Sequence, residues 1–177
     1  MIYVGIDNGV SGSMGMISED NRPLYFKMPV NEYLDYTKKE KWIHRIDVNK
    51  LYQFLSIDFV EQKENVKIFL ERPMINPMVF NASLSAVRAL EATLIVLEKL
   101  KVSYQYIDSR EWQKEMLPAA RKTKVTKKGK TIQVIDNKKV KKISLEVGKR
   151  LFPMVDFTGF KDADGLLIAE YTRKNKR

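Results

Sequence analysis

The chain has 177 residues, no cysteine and one histidine, His44, which excludes disulfides and thiolate or histidine-rich metal sites. Hydrophobic residues make up 44% and charged residues 31%, enough apolar material for one sizeable core, and a single domain over 1–177 is expected. The net charge is +10, and +9 of it lies in 121–142, where ten Lys or Arg stand against one acid, Asp136.

Ile2 to Asp7 is apolar and β-branched and ends in an acid, the pattern of a short buried strand. Asn8 to Gly12 supplies a tight turn, and Met14–Ser18 and Leu24–Met28 continue as an antiparallel meander. Asn31 to Asp47, polar and aromatic, reads as a loop. Val48, Leu51, Leu55 and Phe59 recur at helical spacing, and Val66 to Glu71 is again an apolar strand ending in an acid, after which Pro73 and Pro77 break the chain. Leu84, Val87, Leu90, Leu94 and Leu97 trace a long helix from about Ser83 to Leu100. Its other face, with Ala89, Ala92 and Val96, is also apolar, so the helix is central or forms half of a dimer interface.

Ser103 to Ile107 forms the next strand, and Asp108 with Glu111 has capping-box spacing for the following helix. The basic segment 121–142 then reads as an insertion or hairpin, with Lys127, Lys128 and Lys130 around Gly129 at its tip. Helices from about Val140 to Phe152 and Asp162 to Arg173 close the chain. Three strands, a helix, and then alternating strands and helices indicate an α/β fold with a mixed central sheet.

Asp7 and Glu71 end buried-looking strands, and Asp162 and Asp164 begin an apolar helix. Carboxylates that converge repel one another, and their pKa values rise unless a cation lies between them. Oxygen-only ligands select Mg²⁺ or Mn²⁺, and two such ions about 4 Å apart serve phosphodiester hydrolysis. A positive patch on a near-neutral body is the footprint of a polyanion binder, so the expected partner is a nucleic acid held by the basic segment. Asp7 also has a purely structural reading as a turn residue, and Asp162 or Asp164 as an N-cap, whereas Glu71, followed by Arg72 and Pro73, has no obvious structural purpose.

Gly5-Ile6-Asp7-Asn8-Gly9-Val10-Ser11-Gly12, Leu70-Glu71-Arg72-Pro73 and Asp162-Ala163-Asp164-Gly165-Leu166-Leu167-Ile168-Ala169 occur in the order and spacing of the three acidic motifs of the RuvC-type Holliday junction resolvases, which the chain resembles over nearly its whole length. Trp112-Gln113-Lys114 and the Lys141-to-Phe152 helix resemble the phage and prophage branch. The resemblance implies a ribonuclease-H-like fold with a mixed five-stranded sheet flanked by helices. It implies a homodimer that cleaves branched DNA, a four-way junction, with two Mg²⁺ ions per site. Asp7, Glu71 and Asp164 would be metal ligands. The family places its last two acidic or histidine positions three apart, but Lys161 stands three before Asp164. Asp162 is the nearest substitute and joins the site only if the helix starts after it, since residues two apart on a helix do not share a face. Lys161 would otherwise contact the scissile phosphate or the attacking water. Lys114 and Lys141 fall where the family has basic residues near its active site. Met74 and Phe80 lie in a loop whose apolar side chain enters the junction in that family.

Two other classes compete. A strand-Asp-x-Gly turn also opens the actin-like ATPases and sugar kinases, and a non-catalytic nucleic-acid-binding domain of the same fold would keep the basic segment. The first residues contain no basic segment followed by an apolar one, and no uninterrupted apolar run reaches about 18 residues, so no signal peptide or membrane span is expected and a cytoplasmic location is.

Overall fold

The computed structural model describes residues 1–36, 40–59, 65–126, 129–136 and 139–175, with backbone alone at 57–59 and 135. Strands β1 (Ile2–Asp7), β2 (Ser13–Ser18) and β3 (Pro23–Lys27) form the antiparallel meander, and β4 (Val30–Leu34) and β5 (Trp42–Ile46) form a separate hairpin. Helix α1 (Val48–Phe59), strand β6 (Val66–Glu71), helix α2 (Phe80–Leu100) and strand β7 (Tyr104–Ile107) follow. Helix α3 (Ser109–Met116), the hairpin β8 (Arg121–Val125) and β9 (Thr131–Ile135), and helices α4 (Val140–Leu151) and α5 (Asp164–Asn175) complete the chain.

The main sheet has five strands in the order β3-β2-β1-β6-β7. β1 pairs antiparallel with β2 and parallel with β6, and β6 pairs parallel with β7, so the sheet is mixed as expected. Side chains alternate across each strand and divide the core in two. Val4 and Ile6 of β1, with Ile68 and Leu70 of β6, pack with Leu51 and Leu55 of α1 and Ala89, Val96 and Leu97 of α2. On the opposite face Phe69, Ile107 and Trp112 pack with Leu166, Leu167, Ile168 and Ala169 of α5.

That opposite face positions the acids. Helix α5 lies so close to the sheet that a Cβ added at Gly15 would come 2.4 Å from Leu166 Cα, and one at Gly5 would come 2.3 Å from the Gly165 carbonyl oxygen. Gly5 and Gly15 face each other across β1 and β2, so the missing side chains form one trough for the first turn of α5. Only glycine permits this approach of backbone to backbone.

Several sequence expectations need correction. The segment expected as a loop over Asn31 to Asp47 contains two strands, Val30–Leu34 and Trp42–Ile46. Val30 pairs with Ile46, Glu32 with His44 and Leu34 with Trp42 in an antiparallel ribbon, whose mixed polar and aromatic faces hide the alternation that marks a half-buried strand. α2 begins at Phe80, one helical turn earlier than expected, because Pro77–Val79 already turns as a 3₁₀ helix capped by Asn76 Oδ1, which accepts from Met78 N. The buried face of α2 carries Ala89, Thr93, Val96, Leu97 and Leu100. Of the leucine and valine stripe used to trace the helix, only Leu97 is fully buried. Asp108 occupies the N-cap of α3 but makes no side-chain cap bond, and instead lies 3.7 Å from Arg72 Nε. Pro77–Leu100 is long and apolar enough by composition to cross a membrane, although it carries Arg88 and Glu91. In this fold it packs against the sheet through its small and aliphatic face.

Candidate active site

β1 and β6 run parallel with Gly5 opposite Phe69 and Ile6 opposite Leu70. One residue further on, Asp7 and Glu71 lie side by side at the strand ends, both on the α5 face by the two-residue alternation. The glycine trough brings the start of α5 over this point. α5 begins at Asp164, so Asp162 precedes it, and the two acids are released from the helical geometry that would point them apart. One carboxylate oxygen from each of Asp7, Asp162 and Asp164 lies within 4.8 Å of the others. Glu71 borders the group, and its carboxyl hydrogen-bonds that of Asp7.

The acids are braced from several directions. Ser144 of α4 donates its hydroxyl to Asp164 Oδ1, and Ser144 Oγ accepts from Ala163 N at 3.0 Å. Tyr25 Oη donates to the Asp162 carbonyl oxygen at 2.9 Å and lies 2.9 Å from Ser13 Oγ, which accepts from Gly165 N at 3.2 Å. Trp112 Nε1 donates to Glu71 Oε1 at 3.4 Å. Behind the site, Thr93 of α2 donates to Asn8 Oδ1 at 3.0 Å and pins the turn that follows Asp7. Lys141 of α4 reaches in with Nζ 2.5 Å from Asp162 Oδ2 and 3.9 Å from Asp164 Oδ2.

Burial dominates the electrostatics. It raises Asp7 to about 6, with Lys141 opposing and Asp162 adding to the shift. Glu71 is pushed up to about 9 by burial and then by the charges of Asp7 and Asp164. Asp164 rises to about 7 through burial and the charges of Asp162 and Asp7, against the Ser144 hydrogen bond. Burial works to lower the Lys141 pKa, but the hydrogen bond and charge of Asp162, with Asp164 and Asp7, outweigh it and raise the value. The Lys141 ammonium thus faces Asp7, Glu71 and Asp164, whose raised pKa values mean that these three do not all ionise at neutral pH without further positive charge. The donors are all hard oxygens, and three can reach a common point, which fits Mg²⁺ or Mn²⁺ and does not fit a soft metal.

Among the residues singled out in the sequence, Asp7, Glu71, Asp162, Asp164 and Lys141 come together. Lys161 is exposed next to Asp162 on the rim, and Lys114 is exposed on α3. Met74 and Phe80 are 78% and 68% exposed in the segment after β6, so Phe80 is not a core residue. The expected basic hairpin exists as β8–β9, with Lys130 exposed after the turn at Gly129, while Lys127 and Lys128 lie outside the described residues. Sequence reasoning missed Ser13, Tyr25 and Ser144, which brace the acids. A lone serine or tyrosine carries no spacing signal of its own.

No family model matches the chain, and no curated protein matches it in sequence. Solved structures match it in fold. Thermus thermophilus RuvC in complex with a Holliday junction substrate is similar with a TM-score of 0.55 and 11% identity, over 98% of this chain and 95% of that one. A second Thermus thermophilus RuvC structure gives 0.54 and 12%, over 98% and 96%. These likenesses establish the fold, a ribonuclease-H-like mixed five-stranded sheet flanked by helices.

Proposed function

We propose that this chain is a divalent-metal-dependent endonuclease that cuts branched DNA, resolving four-way junctions as a homodimer. The observation that carries the reading is the buried group of Asp7, Asp162 and Asp164 with Glu71 beside it, on a fold shared with a protein solved on a Holliday junction. Asp7, Glu71, Asp162 and Asp164 would hold Mg²⁺, with Mn²⁺ as a substitute and two ions per site. Bound there, the cations would let the carboxyls ionise together and would lower the barrier to attack of water on a phosphodiester and to departure of the 3′ oxygen.

The chain's own groups divide the remaining work. Ser144, Trp112 and Tyr25 hold the acidic side chains or backbone in place, so little reorganisation accompanies substrate binding. Lys141 is the cation nearest the acids and can hold an oxygen of the scissile phosphate, with Lys161 as a second contact on the rim. The β8–β9 hairpin, with Lys127, Lys128 and Lys130, and Lys114 of α3 would grip phosphates away from the site. Phosphate contacts position DNA without identifying it. Junction preference would come from the exposed Met74 and Phe80 at the crossover and from the spacing of two active sites.

Two symmetric cuts need two sites related by a two-fold axis. α2 leaves Val87 and Ile95 exposed beside half-buried Leu84 and Leu94, an apolar surface suited to a second copy. Trp112-Gln113-Lys114 and the α4 sequence favour the phage and prophage branch of the family.

The test compares a labelled synthetic four-way junction with a duplex of the same sequence, with and without Mg²⁺. Paired nicks on the junction in Mg²⁺, little cutting of the duplex and none in EDTA are expected. Binding without cleavage under every metal condition would favour a non-catalytic DNA-binding domain instead.

A further inference from the structure

Three of the four clustered acids are held by a donor on another element: Asp164 by Ser144, Glu71 by Trp112 and Asp162 by Lys141. The Asp7 carboxyl has no serine, tryptophan or lysine donor of this kind among the described residues; its hydrogen bond is to the Glu71 carboxyl. A bond between two carboxyls needs a proton and disappears when both ionise. The place of Asp7 around a cation is therefore set through its main chain.

That main chain is held from the other side of the sheet. One residue past β1, the Asn8 side chain points to the face covered by α2. There Thr93 Oγ1, fully buried, lies 3.0 Å from Asn8 Oδ1 and 2.9 Å from the Ala89 carbonyl oxygen. The other residues α2 buries nearby are Ala89, Val96 and Leu97, so the pair is a polar island in an aliphatic layer. The Ala89 carbonyl alone would satisfy the Thr93 hydroxyl. Asn8 is also buried, and its Nδ2 has no hydrogen-bond partner among the described residues, which costs stability that an apolar side chain would not. Packing therefore does not account for the pair, but its location does. Asn8 shares a peptide with Asp7, and the turn beyond folds back over that peptide. Gly12 N donates to the Gly9 carbonyl oxygen at 3.0 Å, and a Cβ at Gly12 would come 2.0 Å from the Asp7 carbonyl oxygen.

We propose that Asn8 and Thr93 are positioning residues, which hold Asp7 in place for a divalent cation from the α2 side of the sheet. The assignment rests on the metal-site reading of the acidic group. Its consequence is that the site depends on how α2 packs, although α2 carries none of the acids.

The test titrates Mn²⁺ into the full-length protein, followed by its electron paramagnetic resonance signal. Single-turnover junction cleavage in saturating Mg²⁺ and junction affinity in EDTA are measured alongside. Thr93→Val keeps the shape of the side chain and removes the hydroxyl. It should bind Mn²⁺ about 10- to 100-fold more weakly and cut more slowly, the range for losing a group that orients a metal ligand. Its junction affinity should stay that of the parent protein. Thr93→Ser, which keeps the hydroxyl, should restore Mn²⁺ affinity to within about threefold. Asn8→Ala should match Thr93→Val, and the double variant should be no worse than either, as for two residues acting through one bond. If Thr93→Val folds poorly, Asn8→Ala against Thr93→Ser makes the same comparison. A Thr93→Val protein that melts lower but, while folded, binds Mn²⁺ and cuts as the parent does overturns the proposal. So does Thr93→Ser binding as weakly as Thr93→Val, since packing would then be the cause. Metal binding that weakens as expected in a protein that cuts no DNA removes the nuclease reading and leaves the positioning pair. Junction cleavage by the parent with unchanged variants removes the pair and leaves the nuclease. A parent that binds no Mn²⁺ removes both.

Discussion

Lys141 Nζ lies 2.5 Å from Asp162 Oδ2, which makes Lys141 the cation among the described residues that ion-pairs with the acidic group. It enters from α4, an element separate from the strands that carry Asp7 and Glu71, so the charge balance of the site depends on how α4 packs against α5. Lys141→Gln removes this charge and leaves most of the side-chain length. Single-turnover cleavage of a four-way junction should fall about 100-fold, the scale of losing one preorganised charged donor. Junction affinity should change far less, since most phosphate contacts lie elsewhere. Wild-type cleavage by this variant would show that Lys141 only fills space.

The metal-free protein should lose stability as pH rises. Asp7, Asp164 and Glu71 have folded pKa values of about 6, 7 and 9, all above the ordinary carboxylate range. Above that range the folded state therefore binds more protons than the unfolded chain. Stability from these groups is full below the ordinary carboxylate pKa and is lost as pH climbs through 6, 7 and 9. Thermal melting in EDTA should fall between pH 5 and pH 9, and Glu71→Gln should melt higher than the parent protein at pH 8. Excess Mg²⁺ should restore the parent at pH 8, by about 2.7 kcal/mol at a hundred times its dissociation constant. A melting temperature independent of both pH and Mg²⁺ would contradict the electrostatic picture.

The glycine trough is open to a direct test. Gly15→Ala places a methyl 2.4 Å from the backbone of Leu166, where no flexible side chain can move aside. α5 must lift off the sheet, carrying Asp164 away from Asp7. Denaturant unfolding should show a loss of at least about 1–3 kcal/mol, the usual range for overpacking. Cleavage should fall even at temperatures where the variant stays folded. A stable variant with full cleavage would mean that the close approach is incidental to the site.

The basic hairpin should act through counterions. Replacing Lys127, Lys128 and Lys130 together with alanine should weaken binding to junction and duplex alike. It should also flatten the slope of log affinity against log salt by about two to three, if each lysine touches one duplex phosphate. Preference for the junction over the duplex should change little. An unchanged slope would reduce the hairpin to a solvated ribbon.

Much of this architecture was legible because apolar β-branched runs, helical spacing and acids at strand ends are local signals. Ile2–Asp7 and Val66–Glu71 are apolar runs, buried along most of their length, that terminate in acids where the sheet does, and the order of elements implied a mixed sheet. The helix-start question at Asp162 and Asp164 was posed by the family resemblance together with their two-residue spacing, and α5 beginning at Asp164 answers it. The β4–β5 ribbon was not legible, since Tyr33, Leu34 and Trp42 are exposed and no buried face imposes an alternation. The capping box at Asp108 failed because Arg72, distant in sequence, competes for the side chain. Ser144 and Tyr25 reach the acids across long stretches of chain, and contacts of that kind leave no mark in local sequence.

Cleavage by Glu71→Gln and Asp164→Asn, measured beside the parent protein on a four-way junction in Mg²⁺, bears most directly on the acidic group as a metal-dependent nuclease site. Each substitution removes a carboxylate charge at nearly constant volume, so fold and DNA affinity should persist. Paired junction cuts by the parent, and loss of at least about 100-fold in both variants with junction binding retained, are the expected result. Efficient Mg²⁺-dependent cutting by Glu71→Gln or Asp164→Asn would show that the chemistry is done elsewhere.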